Sequence, residues 1–138
     1  MLRFHIFFRD LEEGFVHAIC INLFPRKFKK GQECIHIDKG SRFLFFVAKG
    51  EVSIGNKDGI QKYVTYLEGS YFGDYQILFR IKSSNAYMSE TDDTELMCIK
   101  KKTFFDICEQ FPKSAKVLKH RAYYRRKFIR DQKTLAME

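Results

Sequence analysis

Apolar residues near the start of the chain recur at helical spacing. Four of them fall on one face of a helix: Leu11, Phe15, Ala18 and Ile19. Asp10, followed three residues later by Glu13, has the pattern of a capping box, which satisfies the free N–H groups of a helix start. Pro25 bars continuation because its ring fixes the backbone and removes a hydrogen-bond donor. The pattern therefore predicts a first helix over residues 10–22.

From Phe24 onwards the spacing changes to that of β-strands. Residues 43–48 are apolar on both faces, as in a strand within a closed core, whereas 33–37 and 51–54 alternate. Further strands are predicted at 63–67, 86–89 and 94–99, with a hairpin tip at 56–59. Turn signals separate the runs, at Gly31, Gly40, Gly50, Gly55, Gly59 and Gly69. Short strands separated by regular turn signals indicate a sandwich or barrel.

Helical spacing returns near the C-terminus. Thr103 is the predicted N-cap of a helix over 103–110, and Pro112 suits the first turn of the next helix. That last helix, over 112–131, is amphipathic, with an apolar stripe at Ala115, Leu118, Ala122 and Ile129.

These patterns predict a mainly β member of the α+β class. The expected fold is an antiparallel β jelly-roll or barrel with one N-terminal helix, a short helix inside the roll and two C-terminal helices. The predicted domain spans residues 10–131, with the β-roll at 24–100 and the terminal helices at 103–131. Residues 1–9 are interpreted as the end of an upstream linker and residues 132–138 as a frayed tail.

The stretch from Gly69 to Ala86 carries the candidate chemistry. Gly73 precedes a short helical run, and the N–H groups at a helix start attract anions. Asp74 beside it can accept hydrogen bonds from hydroxyls. The pattern therefore predicts a cradle for a phosphate joined to a sugar, and the alternative is an ordinary turn into a one-turn helix.

Composition and charge limit the function classes. A chain of 138 residues is expected to form one domain, and its net charge of +8 favours acidic partners. The basic last helix is interpreted as a solvated face, or as a surface for anionic lipid or an acidic protein. Nucleic acid is not expected, because no aromatic platform accompanies the basic residues. No catalytic triad spacing and no phosphate-binding GxxxxGK loop is present, so an enzyme is not expected.

Cysteine usage and hydropathy indicate a reducing, intracellular setting. The four cysteines are far apart and form no CxxC, which favours free thiols. Cys34 and His36 offer two metal ligands but no second pair completes a site, so no metal is expected. No signal peptide or apolar run of membrane-spanning length is present. The domain is expected to be soluble, although it can be a piece of a membrane protein.

The order of elements, together with two motifs, resembles the cyclic nucleotide-binding domain family. The family signature begins Phe-Gly-Glu and ends in a loop with Arg-x-Ala; the chain has Phe72-Gly73-Asp74 and Ser84-Asn85-Ala86. The upstream segments Phe28-Lys-Lys-Gly31 and Phe45-Phe46-Val47-Ala48-Lys49-Gly50 also fit. The resemblance covers roughly residues 10–130.

The resemblance implies that cAMP or cGMP lies against the short helix, with no metal. It implies that the residue after Gly73 holds the ribose, that the loop arginine holds the cyclic phosphate, and that the last helix is a lid over the base. The implied ligand-contacting positions are Phe72, Gly73, Asp74, Tyr75, Gln76, Lys82, Ser83, Ser84, Asn85, Ala86, Arg125 and Ile129.

Two departures from the family pattern bear on binding. Asp74 is one methylene shorter than the family glutamate, and the uncharged Ser84 stands where the family has arginine. Both departures, and the entry segment at residues 8–15, resemble ether-à-go-go-type potassium channels, whose domains do not respond directly to cyclic nucleotides. Arg80 or Lys82 in the same loop could replace the missing charge, or both could be solvated loop residues.

The expected function is a regulatory domain on the cytoplasmic side of a membrane, within a larger cation channel, most similar to potassium channels. There, cyclic nucleotide binding and lid movement would be coupled to gating, with the other channel subunits as partners. The alternatives are a fold-retaining interaction module that has lost the ligand, the regulatory domain of a cyclic nucleotide-dependent kinase, and the effector half of a transcription factor.

Overall fold

The computed structural model describes residues 4–56 and 60–137. The helices are α1 (His5–Phe8), α2 (Glu13–Ile21), α3 (Asp74–Leu78), α4 (Lys101–Gln110) and α5 (Pro112–Ala136). The strands are β1 (Phe24–Phe28), β2 (Glu33–Ile35), β3 (Phe43–Lys49), β4 (Val52–Gly55), β5 (Lys62–Tyr66), β6 (Tyr71–Phe72), β7 (Ala86–Ser89) and β8 (Thr94–Lys100).

The strands form two antiparallel four-stranded sheets. Their orders are β1-β8-β3-β6 and β2-β7-β4-β5. One hydrophobic cluster takes side chains from both sheets, including Phe45 and Phe46 from the first and Ile54 and Tyr87 from the second. The predicted fold class, a mainly antiparallel β-roll with flanking helices and a short helix inside the roll, is confirmed.

The N-terminal residues join this core. Phe7 is fully buried, and its ring centroid lies 4.9 Å from those of Phe46 and Tyr71 in edge-on contacts. Edge-to-face aromatic pairs add a small stabilisation beyond the burial of their area. Residues 4–8 therefore pack against the roll, whereas the predicted domain begins at residue 10; that boundary stays a prediction.

The predicted capping box at Asp10 is wrong, because helix α2 begins three residues later. Asp10 has a φ of 64°, in the left-handed region, and the helix starts after Glu12. The Glu12 backbone N–H donates to Ser114 Oγ at 2.9 Å. In return, the Glu12 carboxylate accepts from Ser114 N at 3.2 Å and Oγ at 2.9 Å. A residue 102 positions away thus sets the start of this helix.

The predicted limits of the C-terminal helices also shift. Helix α4 begins at Lys101 rather than at the predicted cap Thr103, because the Lys101 N–H is already satisfied by the Arg42 carbonyl at 3.1 Å. Helix α5 begins at Pro112 as predicted but continues to Ala136, so residues 132–136 are helical rather than frayed. Gln61 Nε2 donates to the Ala136 carbonyl at 2.8 Å and holds this end against the roll.

Residues 57–59 of the predicted hairpin tip lie outside the described residues. On either side of them, Asn56 N donates to Gln61 O at 2.9 Å and Gln61 N donates to Asn56 Oδ1 at 3.0 Å. Within the described ranges, no helix combines the length and the apolar character needed to cross a membrane.

Candidate functional site

The site is built around the turn from β6 into α3. Gly73 precedes the helix with a φ of 93°, a conformation that L side chains rarely adopt. A Cβ at this position would lie 2.7 Å from the Phe43 carbonyl oxygen and 3.0 Å from Ser41 Oγ. A glycine is therefore required both for the backbone turn and for the close approach to β3.

Asp74 is tied directly to the last helix. Its side chain is 3% exposed, and its Oδ2 accepts a hydrogen bond from Arg125 Nε at 3.0 Å. The same guanidinium donates through its terminal nitrogen to the Tyr71 carbonyl. It also lies over the Tyr71 ring at 3.8 Å from the centroid, and 5.8 Å from that of Tyr66. Arg125 thus fastens α5 to the β6–α3 turn through an ion pair, a hydrogen bond and a cation–π contact.

The other acceptor oxygen of this carboxylate has no partner. Among the described residues, the buried atoms Asp74 Oδ1, Gln76 Oε1 and Asn85 Oδ1 make no hydrogen bond. A buried acceptor without a partner is unfavourable by about 1–3 kcal/mol, so such atoms in a folded protein need an explanation. Asp74 Oδ1 is available to a hydroxyl donor.

Tyrosine side chains form the walls around this pair. Burial raises the pKa of the Tyr71 and Tyr75 phenols to about 12, and it also raises the pKa of Tyr66 and Tyr87. Burial alone would lower the pKa of Arg125, but the neighbouring carboxylate and the tyrosines outweigh it and raise that pKa. At neutral pH the wall is therefore uncharged and the guanidinium is charged.

A hydrogen-bonded group inside the roll joins α3 to β7. The Tyr75 and Tyr87 hydroxyls lie 2.6 Å apart, and Gln76 Nε2 donates to the Tyr87 hydroxyl at 3.1 Å. The Tyr87 ring stacks on Phe72 with 5.2 Å between centroids. These contacts fill the interior of the roll beside α3 with aromatic side chains.

Most of the predicted ligand-contacting residues are buried in this region. The buried members are Phe72, Gly73, Asp74, Tyr75, Gln76, Ser83, Asn85, Ala86 and Ile129. Ser83 is used for the loop itself, since its Oγ donates to the Asn85 carbonyl at 2.6 Å. Ser84 and Lys82, in contrast, are exposed. The structure brings Asp74 and Arg125 into contact and leaves these two loop side chains at the surface.

Three tyrosines of the site were not predicted from the sequence. Tyr66, Tyr71 and Tyr87 lie in or beside strands, where aromatic residues ordinarily serve the core. The position of Tyr71 directly before Phe72-Gly73-Asp74 was the available signal. For Tyr66 and Tyr87 the sequence offers none, because their role depends on contacts between strands.

Helix α5 covers the site and is attached at both ends. Near its start, Ser114 is bonded to Glu12 as described above, and Arg121 donates to the carbonyls of Phe7 at 3.2 Å and Arg9 at 2.7 Å. Near its end, Lys133 Nζ lies 6.0 Å from the Tyr63 ring centroid. The cover over Asp74 is thus joined to the N-terminal helices as well as to the roll.

The described part of the chain holds no cluster of three or more His, Cys, Asp or Glu side chains close enough to bind a metal ion. His36, one of the two candidate ligands, has its Nδ1 2.9 Å from Glu33 Oε2 at the surface.

Comparison with known proteins identifies the family. The pattern of the cyclic nucleotide-binding domain family matches residues 25–111. The cone photoreceptor alpha subunit of the cyclic nucleotide-gated channel from Gallus gallus is 26% identical over 120 residues, which cover 83% of this chain and 16% of the relative. Cyclic nucleotide-gated channel alpha-3 from Homo sapiens is 24% identical over 120 residues, covering 83% and 17%.

A solved structure shares the fold. The crystal structure of Thermus thermophilus Catabolite Activator Protein superposes with a TM-score of 0.71 and 19% identity, over 91% of this chain and 59% of that chain. The chain thus spans about a sixth of the length of the channel relatives, to judge from the 16% and 17% that it covers. With the family pattern matched from β1 to the end of α4, the chain belongs to the cyclic nucleotide-binding domain family.

Proposed function

We propose that this domain binds cAMP or cGMP weakly, in competition with Arg125, and that binding moves helix α5. The observation that carries the proposal is the contact between Arg125 Nε and Asp74 Oδ2 at 3.0 Å. The residue expected to hold the ribose is therefore already engaged by the helix expected to act as the lid. A ligand has to be accommodated at this contact, which couples occupancy to the position of α5.

The residues present fit one half of a cyclic nucleotide. In a 3′,5′-cyclic nucleotide the 2′-hydroxyl is the free hydroxyl of the ribose, and the unpartnered Asp74 Oδ1 can accept its hydrogen bond. The phosphate is served less well, because Ser84 is exposed and uncharged. Loss of a charge-assisted pair weakens binding by about 1.5–3 kcal/mol, or roughly tenfold to a hundredfold.

The parent protein is proposed to be a cation channel, with this domain on the cytoplasmic side of the membrane. The relatives named above are cyclic nucleotide-gated channels, and this supports the channel assignment. Coupling to the rest of the channel would pass through the N-terminal helices, since Ser114 and Arg121 of α5 contact Glu12, Phe7 and Arg9. Membership of the potassium-selective branch stays a prediction of the sequence resemblance. We propose a regulatory role and no catalysis.

One further candidate function is supported by a specific observation. In a fold-retaining assembly module, Arg125 would serve permanently as the partner of Asp74, and the exposed Ser84 would have no ligand to bind. In that case α5 would stay closed, and the domain would act by holding its neighbours together.

The proposal is tested by titration calorimetry with cAMP, cGMP and 2′-deoxy-cAMP, on the unmodified chain and on Asp74→Ala. We expect the unmodified chain to prefer cAMP over the deoxy analogue, and Asp74→Ala to bind both alike, because the 2′-hydroxyl has then lost its acceptor. Ser53→Ala, in a strand on the opposite edge of the second sheet's hydrogen bonding with Glu90, serves as a control for a lost polar contact elsewhere. Absence of binding by the unmodified chain at millimolar ligand would favour the assembly module.

A further inference from the structure

Two adjoining cavities form a groove between α3, the loop that follows it, α4 and α5. They share Arg80 and Phe105, and their volumes are about 390 and 290 Å³. The apolar floor comprises Leu78, Phe105, Cys108 and Ala115. Binding sites for small ligands have comparable dimensions. Asp74 and Arg125 do not line either cavity, so the groove is separate from the proposed nucleotide site.

The rim of this groove carries a concentration of positive charge. Its cationic lining residues are Arg80, Lys82, Lys101, Lys116 and Lys119. Glu109 is the single acidic lining residue of the two cavities. We call the cavities together with these side chains the basic groove.

The five cations of the basic groove are unpaired. Over residues 4–56 and 60–137, none of them forms an ion pair. Nearby lysines on the same helices do form such pairs, as Lys102 does with Asp106 and Lys127 with Asp131. Like charges held together without counterions repel each other, so this arrangement gains free energy when a multiply charged anion arrives.

Arg80 is held in place between the two cavities. Its φ of 54° lies in the left-handed region, which is unfavourable for a residue with a side chain. The guanidinium lies 5.1 Å from the Phe105 ring centroid in a cation–π contact. One face of the guanidinium therefore rests on the floor of the groove, and its N–H groups remain available for bidentate contacts with an anion.

We propose that the basic groove binds a ligand that carries several phosphate groups. A single carboxylate would neutralise one of the five cations, whereas clustered phosphate esters match both the number of charges and the forked geometry of Arg80. The ligand chemistry is that of a polyphosphorylated sugar or cyclitol, either free or as the headgroup of a lipid. Two of the cations, Lys116 and Lys119, come from the last helix; the others come from α4 and the α3–β7 loop.

The test uses myo-inositol hexakisphosphate as the free probe, titrated calorimetrically near physiological ionic strength. We expect Lys116→Gln combined with Lys119→Gln to weaken binding by about tenfold or more, because two charged contacts are lost. The matched control combines Lys127→Gln with Arg130→Gln, which removes the same charge from exposed positions on the same helix. The control should change the affinity by less than about threefold, as expected for screened long-range charge.

A second arm identifies the source of the phosphates. Phosphatidylcholine vesicles, with and without phosphatidylinositol bisphosphate, are mixed with the same three proteins and sedimented. Co-sedimentation that requires the phosphoinositide and is lost in the groove variant assigns the site to a lipid headgroup, whereas binding of the hexakisphosphate alone assigns it to a free anion. The proposal is overturned if neither probe binds, or if the control variant loses as much affinity as the groove variant. It does not depend on cyclic nucleotide binding.

Discussion

At the scale of single residues, the contact between Arg125 and Asp74 combines features that rarely occur together. The carboxylate is buried, with its side chain 3% exposed, whereas the guanidinium retains 23% exposure. Desolvation of the carboxylate is offset by one charged hydrogen bond to Oδ2, while Oδ1 remains without a partner. The carboxylate thus depends heavily on a single partner, and the loss of that partner should be felt strongly.

Replacement of Arg125 by leucine should therefore destabilise the domain. We expect a loss of roughly 2–4 kcal/mol in the free energy of unfolding, less than for a fully buried pair because the guanidinium is partly solvated. Asp74→Leu in the same background should recover part of this loss, since the uncompensated buried charge is then gone. Urea denaturation of the single and double variants measures both effects.

The exposed pair Lys127–Asp131 on the same helix supplies the comparison. Lys127→Gln should change the free energy of unfolding by about 0.5 kcal/mol or less, as is typical of exposed pairs four residues apart on a helix. Equal effects of Arg125→Leu and Lys127→Gln would mean that the Arg125–Asp74 contact does not stabilise the folded domain.

At the scale of elements, α5 combines a buried stripe with many exposed positions. Ala122 and Ile129 are buried, but Tyr124 and Phe128 on the neighbouring stripe are 56% and 54% exposed. An element with a narrow contact face is expected to open at a lower free energy than the strands beneath it. This identifies α5 as the part of the domain most responsive to an occupant of the Asp74 site.

Hydrogen exchange should report this response directly. With saturating cAMP we expect the amides of residues 118–131 to exchange more slowly, because a ligand that engages both Asp74 and the lid stabilises the closed helix. The amides of β3 and β8, which pair along most of their length, serve as the internal reference and should not change. Identical exchange of residues 118–131 with and without saturating ligand would contradict a lid role.

Local patterns predicted most elements because local physics determines them. Residues 86–89 form a strand and Pro112 begins a helix, as the alternation and the fixed φ of proline indicated. The start of α2 escaped prediction, since it depends on Ser114, which is 102 positions away from Glu12. Strand β6 has two residues, Tyr71 and Phe72, too few to show a period.

The site was predicted in a similar, partial way. The sequence identified Asp74 and Arg125, each through the family resemblance and each as a ligand contact. Their contact with one another joins positions 51 residues apart and has no local signature. The exposure of Ser84 likewise depends on how the loop packs, with the Asp38 N–H donating to the Ser83 carbonyl at 2.8 Å.

At the scale of the whole molecule, buried phenols link stability to alkaline pH. The pKa values of Tyr71 and Tyr75 rise from an ordinary 10 to about 12 in the folded protein because of burial. Between these values the unfolded chain has released protons that the folded chain still holds. The contribution of these phenols to stability is therefore complete below pH 10 and is lost as the pH rises towards 12.

Tyr75→Phe tests this relation. The free energy of unfolding should fall with rising pH in both proteins above pH 10, but the slope should be shallower in the variant by up to one proton, or about 1.4 kcal/mol per pH unit. Lysine titration is common to both proteins and cancels in the comparison. Urea denaturation at closely spaced pH values gives the two slopes, and equal slopes would mean that the Tyr75 phenol titrates alike in the folded and unfolded chains.

The reciprocal bonds between Glu12 and Ser114 give α5 the mechanics of a lever with a fixed fulcrum. The helix has 25 residues, so it is roughly 37 Å long at about 1.5 Å per residue. A rotation of roughly ten degrees about Ser114 displaces Arg125 by roughly 3 Å and the far end by roughly 6 Å over the lengths given by the helix rise. The first displacement is as large as the 3.0 Å that separates Arg125 Nε from Asp74 Oδ2. A small turn at the fulcrum is therefore enough to release the latch, and the same turn pulls on the helix that contains Phe7 through Arg121.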